Sequence, residues 1–258
     1  MTVKVAVCNQ KGGVGKTDLS VNLASSLTAL GKRVLLVDLD PQGNATHYLT
    51  TFTPKMSARD LLMDEKVGLE DVAEGTSVEN LDIVPSDLSL NVASVQLINE
   101  VNMQFKLRRK LKSTDGYDYI IMDTPPSLGP LTLNALTAAD AVLIPVQSQY
   151  LAMCGVQQLL ESVELVREDL NQGLRLGGMV LTMYDRRTNL SREVEETVRD
   201  AFGEKVFKTM IPVNVRLAES PSHHKAVMLY SPQSTGARAY MNLAQEFLEW
   251  SKDWEITP

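Results

Sequence analysis

The stretch Val3-Lys4-Val5-Ala6-Val7-Cys8-Asn9-Gln10-Lys11-Gly12-Gly13-Val14-Gly15-Lys16-Thr17 decides the fold. It passes from an apolar, β-branched run through a glycine-rich turn and on into a helix-like segment, Leu19 to Leu30. Strand, glycine loop and helix in that order make a phosphate cradle. Glycines let successive backbone N–H groups turn inward toward phosphate oxygens, and the helix N-terminus behind them adds a favourable dipole. In such a cradle Lys16 neutralises charge on the β- and γ-phosphates, and the Thr17 hydroxyl is a ligand for Mg2+. The plainer reading, a glycine turn carrying two solvated lysines, leaves the flanking strand and helix without a purpose.

Outward from this loop, strand-like and helix-like segments alternate almost to the end of the chain. Strands are predicted over Val3 to Asn9, Val34 to Asp38, Leu81 to Pro85, Tyr119 to Asp123, Ala141 to Val146 and Gly178 to Met183. Helical spacing appears over Leu19 to Leu30, Val92 to Leu111, Leu131 to Ala138, Gly155 to Glu168 and Leu190 to Phe202. The pattern predicts an α/β fold, a doubly wound and mostly parallel sheet with helices on both faces, as one domain over 1–258. Ligands in such sheets sit beyond the carboxyl ends of the strands. The segment from Thr50 to Gly75, with Pro54 and scattered charges, reads as short helices or a surface excursion.

Composition bounds the function. The chain has 258 residues, 44% hydrophobic content and a formal charge of −7, which fits a large single core and argues against wholesale coating of nucleic acid. Cys8 and Cys154 are far apart and lie in no metal-binding pattern with the three histidines, so buried thiols in a reducing cytoplasm are expected. The first strand begins at once, without a signal peptide, and no apolar run nears the roughly 20 residues that span a bilayer.

Two further motifs carry carboxylates. In Val34-Leu35-Leu36-Val37-Asp38-Leu39-Asp40-Pro41-Gln42-Gly43-Asn44 two aspartates lie two residues apart at a strand end, on the same side of an extended chain. Asp-Pro is also a turn signal, but the pair falls at the edge where a phosphate-loop protein places its working groups. In Tyr119-Ile120-Ile121-Met122-Asp123-Thr124-Pro125-Pro126 an apolar strand closes on an aspartate, followed by prolines that restrict the next loop.

The loop departs from the ordinary G-x-x-x-x-G-K-[ST] pattern. Gln10 stands where the first glycine would be, and a second lysine, Lys11, precedes the paired glycines. This Lys-Gly-Gly-x-Gly-Lys-Thr form resembles the deviant Walker A motif of the ParA/MinD/nitrogenase-iron-protein class of ATPases. The aspartate pair with Gly43-Asn44-Ala45-Thr46, and the segments Leu181 to Leu190 and Ile211 to His223, resemble the chromosomal, Soj-like branch of ParA over most of the chain. The resemblance implies ATP and Mg2+ as cofactors, held by Lys11, Gly12, Gly13, Val14, Gly15, Lys16, Thr17 and Asp18, with Met183 and Pro212 against adenine. It implies that Lys11 reaches the partner subunit's nucleotide in an ATP-sandwich homodimer, as an arginine finger does elsewhere. Asp40 would position the attacking water, Thr17 and Asp123 would hold magnesium, and Asp38 would support Lys16 and the magnesium shell. The loop at Pro125-Pro126 would serve as a nucleotide-sensing switch.

The same resemblance implies nonspecific binding of duplex DNA in the ATP state, through Arg187 and Arg216, and a ParB-like stimulating partner. Between positions 186 and 238 there are nine Lys/Arg and six Asp/Glu, a net of +3 inside an acidic chain. A few arginine–phosphate contacts give salt-sensitive, sequence-independent affinity. Three positions depart from the family. Val213 replaces an arginine, His224 replaces a glycine, and Asp18 stands where threonine or serine is usual. A carboxylate at a helix N-terminus is favourable in the empty protein but repels the α-phosphate. Either ATP binding is weakened or Asp18 is turned away.

Two other features read as ordinary surface. The basic run Lys106 to Lys112 reads as a solvated helix face over Leu107 and Leu111, with a DNA or partner surface as the alternative, and His47, His223 and His224 as surface or turn residues. A membrane-bound MinD-like ATPase would need a basic amphipathic tail, whereas Phe247 to Pro258 is acidic. An iron protein would need cluster cysteines. A nucleotide-gated DNA-binding module disabled by Asp18 is the non-enzymatic alternative. The leading expectation is a cytoplasmic, nucleoid-associated ATP switch, without the extra N-terminal helix-turn-helix of a self-repressing ParA.

Overall fold

Runs such as Val34-Leu35-Leu36-Val37-Asp38 have no polar alternation, which suits strands covered on both faces. All five of these residues are buried. In the computed structural model they form β2 (Val34–Asp38) of a seven-stranded sheet with β1 (Val3–Val7), β3 (Glu74–Gly75), β4 (Leu81–Val84), β5 (Tyr119–Asp123), β6 (Ala141–Gln147) and β7 (Arg175–Thr182). The order is β3-β4-β2-β5-β1-β6-β7. All neighbours are parallel except the edge pair β3 and β4. The structure describes residues 2–112, 114–149, 152–252 and Trp254, with 152–154 as backbone only. The thiol expected to be buried at Cys154 and the end of the acidic tail, Pro258, lie outside the described residues, while Cys8 is buried.

Twelve α-helices connect and flank the described strands: α1 (Lys16–Ala29), α2 (Asn44–Leu49), α3 (Ala58–Met63), α4 (Leu69–Val72), α5 (Ser89–Leu97), α6 (Lys106–Lys110), α7 (Pro130–Ala138), α8 (Ala152–Asp169), α9 (Asn189–Phe202), α10 (Val215–Glu219), α11 (Val227–Tyr230) and α12 (Thr235–Lys252). Side chains alternate across the sheet, so two cores form. Leu35 and Val37 pack with α3, α5, α6, α7, α8 and α9. Val34 and Leu36 face the other way, onto α1, α2, α11 and α12.

Several boundaries differ from the sequence reading for physical reasons. The helix predicted over 92–111 is two helices, because Asn102 adopts a left-handed conformation (φ 56°) ahead of a 3-10 turn, Met103–Phe105. Leu107 and Leu111 face the core as expected. Lys110, read as part of a solvated face, instead donates to the carbonyls of Asp64, Glu65 and Val67 and closes the loop between α3 and α4. The Thr50 to Gly75 segment folds as the two short helices α3 and α4, the first held by a Ser57–Asp60 capping box. β7 starts three residues earlier than predicted, at Arg175, across a bulge beside Val142 and Leu143. There a side chain on Gly177 would strike Trp254, and one on Gly178 would strike Phe207 and Trp250. Phe207 and Trp250 stack at 4.0 Å, so the glycine pair lets the C-terminal helix lie close against the sheet.

Candidate nucleotide site

The parallel register brings the functional motifs to one edge. Val7 and Asp38 both lie opposite Asp123, so the glycine loop after β1, the aspartate pair after β2 and the aspartate of β5 emerge side by side. The loop between β1 and α1 is held at both ends by side chains. Asn9, buried, donates to the Pro145 carbonyl at 2.7 Å and accepts from Lys11 N at 3.0 Å. Thr182 at the end of β7 donates to the Val14 carbonyl at 2.8 Å. Gly13 and Gly15 take left-handed conformations (φ 73° and 87°) that L side chains rarely adopt, and a side chain on Gly12 or Gly13 would meet nothing within 4 Å. The cradle is therefore shaped and open, as a phosphate group requires.

Lys16 is 7% exposed, and among the described residues its ammonium has one hydrogen-bond partner, the Lys11 carbonyl at 3.3 Å. Burial pulls its pKa below the ordinary lysine value, against the opposing pull of Asp123 and Asp40. A buried cation so sparsely bonded is suited to receive an anion. Asp123 is wholly buried, and its two oxygens accept from Thr17 Oγ1 at 2.8 Å and Ser20 Oγ at 2.9 Å. Burial, reinforced by the charge of Asp40, raises its pKa. Thr17 and Asp123 together offer hard oxygen donors of the kind that magnesium takes, usually alongside phosphate and water.

Asp38 is placed differently from the expectation. Its carboxylate accepts from Asp40 N at 3.1 Å, Thr46 N at 2.9 Å and Thr46 Oγ1 at 2.7 Å, and no hydrogen bond joins it to Lys16. Thr46 Oγ1 in turn accepts from Ser86 N, and Ser86 Oγ donates to the Asp40 carbonyl at 2.8 Å. Asp38 is thus the anchor of the loop that presents Asp40. Burial, followed by the charge of Asp123, lifts its pKa. The Asp40 carboxylate accepts from Gln42 N at 2.9 Å through one oxygen and from no other group among the described residues. Thr124 ties β5 to β1 through the Val7 carbonyl at 2.8 Å.

Met183 and Pro212, the residues that the resemblance sets against adenine, lie on neighbouring segments. Met183 is strained (φ 52°) and 37% exposed, and its successor Tyr184 forms a parallel bridge with Pro212. Thr182, one residue before Met183, is bonded to the cradle at the Val14 carbonyl. Asp18 turns toward Tyr48, whose hydroxyl donates to it at 3.4 Å. Burial lifts the Asp18 carboxyl to about 6. The histidines act locally: His47 Nδ1 meets the Gly43 carbonyl, His224 Nδ1 meets the His47 carbonyl, and His223 stacks on Tyr230.

Arg187 and Arg216 are exposed and paired with neighbouring acids. Arg187 binds Asp185 through two nitrogens, at 2.9 and 2.8 Å, and holds its carboxyl down to about 2. Arg216 binds Glu219 at 2.8 Å. A groove of about 820 Å3 gathers Arg187 with Arg186, Lys208 and Arg238 beside Pro212 and Val213. Among the described residues no group of three or more His, Cys, Asp or Glu is arranged to hold a metal by itself.

The chain is 50% identical over 245 residues to the sporulation initiation inhibitor protein Soj of Bacillus subtilis, covering 94% of this chain and 96% of that protein. It is 49% identical to the chromosome-partitioning ATPase Soj of Thermus thermophilus, over 95% of both chains. The chain belongs to the Soj/ParA family of chromosome-partitioning ATPases. A family model described as an AAA domain also matches residues 2–176. Among solved structures, a cobyrinic acid a,c-diamide synthase from Mycobacterium smegmatis with bound ADP and magnesium superposes with a TM-score of 0.86. It is 36% identical, covering 98% of this chain and 96% of that one. Within this family frame, Asn9, Ser20, Ser86 and Thr182 are supporting residues that motif reading alone does not single out. Each is a short polar side chain whose partner lies on another strand or loop.

Proposed function

We propose that this chain is an ATP-driven positioning switch that binds Mg-ATP, pairs with a second copy, holds nonspecific duplex DNA in that state, and lets go on hydrolysis. The observation that carries the reading is Lys16, a buried ammonium with a single carbonyl partner among the described residues, set over an open glycine cradle and beside Thr17, Asp123 and Asp40. Thr17 and Asp123 would hold magnesium, which neutralises charge on the transferring phosphoryl group. Asp40, with an oxygen left over and its loop fixed by Asp38, Thr46 and Ser86, would orient the attacking water. Lys11 would act on the partner's nucleotide, and Met183 with Pro212 would face adenine.

Arg187 and Arg216 would contact DNA phosphates, and the groove of Arg186, Arg187, Lys208 and Arg238 concentrates positive charge in an otherwise acidic protein. Their acidic partners weaken each contact, and Val213 removes a charge that relatives of this kind are expected to carry. Turnover would be slow alone and raised by a ParB-like partner, with the nucleoid as the track and a chromosome, plasmid or protein assembly as cargo. The test is fluorescence anisotropy of a nonspecific duplex with ATP, with ADP and without nucleotide, at two salt concentrations. Binding that needs ATP and weakens with salt is expected. Binding indifferent to nucleotide would overturn the switch.

A further inference from the structure

Asp18 is the third residue of α1, inside the first turn of the helix whose N-terminus backs the glycine cradle. A carboxylate in that turn is drawn to the same N–H groups and dipole that a phosphate would use. The chain therefore carries its own competitor for the anion site. Asp18 forms no ion pair among the described residues, and its carboxylate has one hydrogen bond, from the Tyr48 hydroxyl at 3.4 Å.

Tyr48 is 2% exposed and held from several directions. Asn22 donates to its oxygen at 3.1 Å, and Ser220 Oγ lies 2.6 Å away. Asn22 also donates to the Asp18 carbonyl at 2.9 Å and accepts from Val227 N at 2.9 Å. Residues of α1, α2, α11 and the turn at Ser220 thus fix the phenol. A cleft of about 310 Å3 lined by Thr17, Asp18, Asn44, His47, Tyr48 and Pro221 leaves the carboxylate room to swing. A phenol held by several partners, a carboxylate held by one bond and open space beside the first turn make a latch.

We propose that Tyr48 is a positioning residue that holds the Asp18 carboxylate off the phosphate cradle, so that the Asp18–Tyr48 pair sets the nucleotide affinity of this chain. The inference rests on reading the cradle as an ATP site. With the hydroxyl in place, the carboxylate stays on the α2 side of the turn and opposes the nucleotide only through space. Without it, the carboxylate is free to take the N–H groups of the first turn, and competes with the nucleotide directly.

The test is the affinity of fluorescent ATP and ADP, in magnesium, for the wild type, Asp18→Asn, Tyr48→Phe and the double variant. Asp18→Asn is expected to bind about tenfold more tightly, since it removes one like charge near the phosphates. Tyr48→Phe is expected to bind several-fold more weakly than the wild type, yet to change nothing when Asp18 is already Asn. That last result separates a latch from a merely structural tyrosine, whose loss would weaken both backgrounds equally. Asp18→Thr, which leaves Tyr48 intact, gives the same gain if charge is the cause. Unchanged affinity in Asp18→Asn, or a Tyr48→Phe loss that survives in Asp18→Asn, overturns the latch alone. Failure of every variant to bind nucleotide overturns the ATP reading beneath it.

Discussion

Replacing Thr182 by valine tests whether the glycine loop is held by β7. The substitution keeps the shape of the side chain and deletes one hydroxyl, which donates to the Val14 carbonyl at 2.8 Å with Thr182 2% and Val14 1% exposed. Water does not reach that carbonyl to replace the bond. The loss is therefore that of a buried acceptor left unpaired, about 1–3 kcal/mol. Val14 and the left-handed Gly15 are adjacent, so the same change loosens the cradle, and part of the nucleotide's binding energy then goes into ordering it. Urea unfolding without nucleotide is expected to show the full 1–3 kcal/mol, about, and nucleotide titration a roughly tenfold weaker affinity. An unfolding free energy within about 0.5 kcal/mol of wild type together with unchanged affinity would refute the reasoning.

Two more predictions follow from the buried acids and from the turn before α2. Asp18, Asp38 and Asp123 all have pKa values raised by burial in the folded chain, so the folded state binds more protons than the unfolded one above the ordinary carboxylate range. Stability without nucleotide or magnesium is then expected to fall as pH rises from about 4 toward neutrality, and urea midpoints at about pH 5 and pH 7.5 check it. A midpoint that rises over this interval would contradict the assignment. Gly43→Ala is expected to destabilise by about 2 kcal/mol or more. The residue has φ 62°, and an added Cβ would lie 2.9 Å from the Ser86 carbonyl oxygen, so both backbone strain and a clash with main chain enter.

The site was legible where a motif is local. The glycine loop, Asp38, Asp40 and Asp123 are contiguous with the strands that present them, and parallel register alone brings them to one edge. What holds those residues was not legible. Asn9 meets Pro145 and Thr182 meets Val14, 136 and 168 residues away, and nothing around a single Asn or Thr announces such a partner. Asp38 illustrates the same limit: its position is local, but its role as anchor depends on Thr46, and through Thr46 on Ser86. The break between α5 and α6 turns on Asn102, a residue compatible with either a helix or a left-handed turn. Helix α12 is absent from the sequence reading, although Tyr240, Leu243, Ala244 and Phe247 recur at helical spacing and are buried. The edge strand β3, two residues long and antiparallel, is too short to leave a pattern.

The claim that two copies complete each other's sites is tested most directly by mixing two disabled variants, Lys11→Ala and Asp40→Ala, and measuring phosphate release from ATP in the presence of nonspecific duplex. In a mixed pair, the nucleotide held by the Lys11→Ala subunit keeps its own Asp40 and meets the intact Lys11 of the other copy. Equal amounts pairing at random should restore about a quarter of the wild-type rate, since half the dimers are mixed and each has one whole site. A mixture no more active than either variant alone would contradict a lysine acting across the dimer, and with it the account of how this switch turns over.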